Sequence, residues 1–186
     1  MTSAFFAFPT DPMLRFIGPL IAFTIASSAL AQGGVRLIVW NYEPIFAEGG
    51  FDRMSHIGVG FDHDLNDRLS IGLDGRIGLA NSASSWVVEY RSAFHFADAE
   101  SASAYFGPTL GVRSISGEDA KTVVPLGFRI GVRGGLERFY ADLYAGVKSY
   151  VGGSGRVTLN DGAGEVDLRT GTFCVGLDLG WGWEGK

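Results

Sequence analysis

The feature that most limits how this chain can fold is a period of two that recurs along almost its whole length. In the last stretch, Thr172 to Trp183, the residues Phe173, Val175, Leu177, Leu179, Trp181 and Trp183 share one face. Thr172, Cys174, Gly176, Asp178, Gly180 and Gly182 share the other. Such alternation is that of a strand with one apolar side, since successive side chains in a strand point to opposite faces. The pattern returns in about eight segments: 35–42, 54–62, 69–79, 86–96, 101–114, 122–133, 138–151 and 172–183. No segment has the 3.6-residue period of a strong amphipathic helix. Eight alternating strands with short connections predict an all-β, antiparallel, up-and-down barrel, because closure removes the exposed edges of a sheet.

Individual strands add detail. In 35–42, Arg36 shares a face with Ile38 and Trp40, which blurs the alternation. Pro108 falls inside the fifth strand, where it leaves a gap in the ladder and predicts a bulge. Gly134-Gly135 is expected in a tight turn, and Ala97 to Glu100 in another. Residues 43–53 and 152–165 are expected as loops, the second the longest, with Asp161 to Glu165 at its tip. Connections after the second, fourth and sixth strands are short, and those after the first, fifth and seventh are longer.

The N-terminus reads as an export signal. Met13-Leu-Arg is followed by the apolar run Phe16 to Ile25 and the small-residue site Ala29-Leu30-Ala31. Cleavage is expected before Gln32, giving a signal peptide at 1–31 and a barrel domain at 32–186. Residues 1–12 contain Asp11 and no Lys or Arg, so Met13 is an alternative start. The apolar run is shorter than the roughly 20 residues of a spanning helix.

Which face points outward decides the class. A soluble lipocalin-like carrier in the periplasm also has about eight strands, but its apolar face points inward. Here the non-apolar face is mostly Gly, Ser, Thr and Tyr, with opposed charges: Asp74, Glu89, Asp142 and Asp178 against Arg76, Arg91, Arg113, Arg129 and Lys148. A solvated surface would be denser in Lys and Glu. Paired charges among glycines predict a narrow, filled, ion-paired interior. Trp86, Phe94, Phe96, Trp181 and Trp183 are expected as an outward aromatic girdle near strand ends. The reading is a transmembrane barrel in an outer membrane, in contact with lipid and monomeric.

The signal segment, the repeated alternation, the Gly-rich inward face and the aromatic last strand resemble the small outer-membrane β-barrel family of OmpA/OmpX type, often called porin-family proteins. In that family the last strand carries an assembly signal. The matching positions here are Cys174, Gly176, Leu179 and Trp181, with two departures: the first position is Cys, and Glu184-Gly-Lys186 follows the final Trp. The resemblance implies recognition by the barrel-assembly machinery.

Chemistry is weakly signalled. A net charge of -5 argues against nucleic acid. The single Cys174 cannot form an internal disulfide and reads as a small strand residue. Lipid A deacylases of similar size use a His-x-Ser pair near the chain end, but no His follows His95 here. Ser55, His56 and Asp62 fail as a hydrolase site because adjacent Ser and His point to opposite faces of a strand. His95 with Glu89 has no better support. His56 and His95 are expected inward, within the polar network rather than on a metal. No catalytic residue, cofactor or metal is predicted. The expected role is anchorage by the strands, with structural or surface-binding work by the loops; a narrow channel is the alternative.

Overall fold

The computed structural model describes residues 33–47, 50–80, 83–99, 102–136, 138–151, 156–158, 165–167 and 171–183. The expected signal peptide lies outside them. Eight long strands form the barrel: β1 (Gly33–Tyr42), β4 (Ser55–Asn66), β5 (Leu69–Leu79), β6 (Ser84–Ala99), β7 (Ala102–Ser116), β8 (Ala120–Leu136), β9 (Phe139–Val151) and β12 (Thr172–Trp183). Four short strands, β2 (Ile45–Ala47), β3 (Gly50–Asp52), β10 (Arg156–Thr158) and β11 (Glu165–Asp167), form a separate sheet in the order β10-β11-β2-β3. Each barrel strand pairs antiparallel with its sequence neighbour, and β1 closes the ring against β12 from Gly33↔Trp183 to Tyr42↔Val175.

The barrel has two unlike ends. At one, where β1 begins and β12 finishes, the pairs β4–β5, β6–β7 and β8–β9 are each joined by two residues. This is the turn end. At the other, the loop end, the connections from β1 to β4 and from β9 to β12 carry the second sheet.

Several details differ from the sequence reading. Gly134 and Gly135 are not in a turn; β8 runs past them, with Gly134↔Ala141 and Gly135↔Tyr140. Likewise β6 continues through Ala97 to Ala99. Period-two pairing thus extends beyond the apolar residues that reveal it. Pro108 causes no bulge, because the register is the same on both sides of it. Pairing of β6 with β7 lapses after Arg91↔Thr109 and resumes unshifted at Phe94↔Phe106. The same happens across β7 and β8 at Pro125, between Leu110↔Leu126 and Arg113↔Val123. A missing N–H costs the ladder a bond without inserting a residue. The shift in β6–β7 lies instead between His95 and Ala97. In β1 a shift between Ile38 and Trp40 explains the blurred alternation: Arg36 and Ile38 point inward, while Val39 and Trp40 both point outward. The segments expected to be loops hold the second sheet, and Glu165 opens β11 rather than ending a loop tip.

The orientation of the two faces is inverted relative to a soluble barrel. Outward side chains are Leu, Ile, Val, Phe and Trp, among them Leu37, Ile57, Val59, Ile77, Leu79, Phe128, Ile130, Leu143 and Leu179. Inward side chains are mostly charged, hydroxylic or absent, with small or apolar exceptions such as Ile38, Val87, Ala93 and Cys174. Two apolar clusters are buried. Ala93, Tyr105, Tyr144 and Cys174 pack inside the barrel wall. Met54, Ala83, Ile115, Val123 and Val157 pack at the loop end.

Candidate functional site

The functional candidate is the barrel interior and the structure that closes it. Inward positions are narrow because the wall is a closed eight-stranded ring. Large inward side chains therefore need glycines opposite them. A Cβ on Gly180 would collide with the ring of Tyr140, and one on Gly176 with the ring of Tyr144. The glycine content of the inward face follows from this interdigitation.

Arg36 is the hub near the turn end. Its guanidinium donates to Asp178 at 2.6 Å, contacts Asp62 at 3.4 Å and also binds Asp74. Arg91 pairs with Asp62 and lies 3.7 Å from Asp142. Arg133 reaches Asp62 at 3.0 Å and Asp142 at 3.3 Å. Two tyrosines donate to the same carboxylates, Tyr105 to Asp142 at 2.7 Å and Tyr140 to Asp62 at 2.8 Å. This turn-end cluster sets Asp62, Asp74, Asp142 and Asp178 against Arg36, Arg91 and Arg133.

A second cluster lies toward the loop end. Glu89 forms ion pairs with Lys148 at 2.7 Å and with Arg76 at 2.9 Å. Glu43 accepts from Lys148 at 3.1 Å and from Tyr150 at 3.2 Å, and also binds Arg113. Here Glu43 and Glu89 face three cations, Arg76, Arg113 and Lys148. Arg129 joins the two clusters, 3.2 Å from Glu89 and 3.8 Å from Asp74, with its guanidinium 3.8 Å from the centre of the Tyr144 ring.

Glu43 stands just past the end of β1, so the loop-end cluster is tied to the closing structure. The Glu43 N–H donates to the Met54 carbonyl at 3.0 Å, pinching the base of the β1–β4 connection. The Thr172 hydroxyl donates to the Pro44 carbonyl at 2.7 Å. Above, Val157 of β10 is fully buried against Met54, Ile115 and Val123. The Glu118 N–H donates to the Thr158 carbonyl at 2.9 Å, and Asp119 accepts from the Thr158 N–H at 3.0 Å. The second sheet is thereby fastened to the β7–β8 connection, with an apolar layer beneath it. Burial alone would raise the Glu43 carboxyl, but Arg113 and Lys148 outweigh it and hold the group well below the usual carboxylate range.

All nine charged residues singled out in the sequence, Asp74, Arg76, Glu89, Arg91, Arg113, Arg129, Asp142, Lys148 and Asp178, lie in these clusters. Four further members did not emerge from the sequence. Arg36 was obscured by the bulge in β1, and Glu43 sits in a connection where no period applies. Asp62 and Arg133 have the inward parity of their strands, and that parity was the available signal.

Trp86, Phe94, Phe96 and Trp181 are exposed on the outer face. Trp86 stands toward the loop end with Trp40 and Phe173. Phe94, Phe96 and Trp181 stand toward the turn end with Phe106 and Phe139. Phe139 and Trp181 pack with ring centres 4.8 Å apart. The backbone of Trp183 pairs with Gly33, but its side chain lies outside the described residues. Of the last-strand pattern, Cys174 and Gly176 point inward, Leu179 and Trp181 outward.

His56 is buried inside the barrel. His95 contacts the hydroxyls of Ser70 at 3.1 Å and Ser103 at 2.6 Å, while Glu89 is engaged by Lys148, Arg76 and Arg129. Among the described residues, no group of three or more His, Cys, Asp or Glu is placed to hold a metal ion.

No protein-family model and no curated protein sequence matches the chain. Solved structures do. Neisserial surface protein A (NspA) superposes with a TM-score of 0.61 at 11% identity, covering 80% of this chain and 96% of that one. Ail, the attachment invasion locus protein of Yersinia pestis, gives a TM-score of 0.49 at 10% identity, covering 83% of this chain and 99% of Ail. At such identities the likeness to NspA is one of fold: an eight-stranded antiparallel barrel.

Proposed function

We propose that the chain is an integral outer-membrane barrel whose strands anchor it and whose closed loop end does structural or surface-binding work. The observation that carries this reading is the inverted barrel: an apolar exterior around a charged interior. A soluble monomer rarely exposes a contiguous apolar patch above a few hundred Å². Here the outward rows of all eight barrel strands are apolar over most of their length. The aromatics set the height of the belt. On β6, Trp86 and Phe96 are ten residues apart, or about 33 Å along the strand and about 25 Å along the axis at a tilt of ~40°. That matches the apolar band of outer-membrane barrels. In this orientation the turn end, with its short hairpins, the start of β1 and the finish of β12, faces the periplasm and the second sheet faces outside.

The filled interior favours anchorage over transport. Ion pairs span the lumen and an apolar layer seals the loop end, so the unmodified barrel is expected to be electrically silent in a planar bilayer. The read role is binding or structural rather than enzymatic, since the inward Glu89, on the same strand as His95, is engaged by Lys148, Arg76 and Arg129. A monomer, lipid contact, and delivery by the barrel-assembly machinery through the last strand complete the proposal. Membrane fractionation tests it. The protein should stay with membranes through alkaline carbonate, dissolve only in detergent, and migrate differently on gels before and after boiling. Recovery in the soluble periplasmic fraction would overturn it.

A further inference from the structure

One strip of the lumen wall carries hydrogen-bonding atoms that the rest of the interior does not use. Asn41 of β1 stands opposite His56 of β4, and His56 stands opposite Gly78 of β5. Arg76, the next inward position along β5, is the diagonal neighbour of His56. All three residues are buried, Asn41 and His56 completely. Neither ring nitrogen of His56 has a hydrogen-bond partner among the described residues, nor do Arg76 Nε and Nη1 or Asn41 Oδ1. Arg76 meets Glu89 through Nη2 alone. The facing wall is different. Arg113 is engaged through Nε, Nη1 and Nη2 by Ser85, Glu43, Tyr150 and Met54, and Lys148 by both Glu43 and Glu89.

The same strip lies where charge does not balance. Glu43 and Glu89 face Arg76, Arg113 and Lys148, while Arg129 offsets the extra aspartate of the turn end. Among the described residues, one positive charge is left over at the loop end. The other inward carboxylate, Asp64, stands opposite Ser70 at the turn end. It is eight residues along β4 from His56, or about 26 Å. A buried charge needs a compensating one. Water could satisfy the free donors but brings no charge.

We propose that this strip binds one small monovalent anion of halide size, such as chloride. Arg76 supplies the charge and the Nε–H and Nη1–H donors, and the His56 imidazole supplies a third N–H. The lumen beside them is crossed by Glu89 and Lys148, so the ion must be small. It completes the charge balance of the filled interior and leaves the barrel closed.

Unfolding in detergent micelles, followed by the gel mobility of unheated protein, tests the site. Chloride is varied against gluconate, an anion too large for the lumen, at constant ionic strength. One ion released on unfolding should lower the unfolding equilibrium constant about tenfold for each tenfold rise in chloride above its dissociation constant. His56→Leu keeps every charge and should move the onset of that dependence to about tenfold higher chloride, the change expected from losing one hydrogen bond to an ion. Bromide gives an independent reading on wild-type crystals, where anomalous scattering should place one ion in contact with Arg76 and His56. Equal stability in chloride and gluconate would make the strip a hydrated one and overturn the proposal. So would an undiminished chloride dependence in folded His56→Leu, or bromide found only elsewhere. Each of these failures leaves the membrane reading standing, because fractionation decides that reading separately.

Discussion

The two ends of the barrel interior are built with opposite charge balances and opposite ties to the rest of the molecule. Toward the turn end, four aspartates face three arginines, and tyrosine hydroxyls supply the remaining donors. Every member lies on a barrel strand. Toward the loop end, two glutamates face three cations, and one of the glutamates, Glu43, lies outside the strands. The first cluster ties the wall to itself. The second ties the wall to its lid, under the apolar layer of Met54, Ala83, Ile115, Val123 and Val157. A narrow barrel thus uses one kind of interaction for two tasks, and the cluster that reaches a loop residue is the one that can respond to what the loops do.

Removing the turn-end hub should have the largest effect. Arg36→Met leaves Asp62, Asp74 and Asp178 without their shared cation. Breaking a buried charge network from one side costs about 3–5 kcal/mol, so the urea midpoint for loss of the heat-modifiable form should fall throughout the barrel. An unchanged midpoint would deny Arg36 the central position. Glu43→Gln should cost less, about 1–3 kcal/mol, and act locally. Cleavage by protease in the β1–β4 connection should quicken while the barrel midpoint moves little. If both variants loosen the whole barrel equally, the two clusters are one unit. Val157→Ala should be milder still, about 1 kcal/mol, read as faster amide exchange in β10 without change in β12.

The smallest effect is on pH. Because the Glu43 carboxyl is held below its ordinary value of 4.5, its contribution is fully present above about pH 4.5 and is lost as pH falls toward its folded value. Protection of the β1–β4 connection should stay flat from neutral pH to about 4.5 and decline only in stronger acid. A decline near neutrality would assign the latch to another group.

The barrel was legible because a period of two runs through most of its long strands, and parity alone sends Asp74, Arg91 and Asp178 inward. Legibility failed where parity breaks or does not apply. One extra residue in β1 turned Trp40 outward and hid Arg36, which pairs with three carboxylates. Gly134 and Gly135 have turn chemistry but are held in β8 by pairing with β9, a tertiary effect. The second sheet joins segments far apart in sequence, with Val166 opposite Ala47, and no local pattern announces such a pairing. The turn-end cluster was therefore half visible, and the lid was not visible at all.

The central claim is that the apolar face meets lipid and the charged face does not meet water freely. Tryptophan quenching in vesicles tests it most directly, since Trp40, Trp86 and Trp181 all stand on the outer face. Brominated acyl chains should quench most of the emission, and aqueous iodide should quench little. Strong quenching by iodide with no effect of brominated lipid would contradict the account.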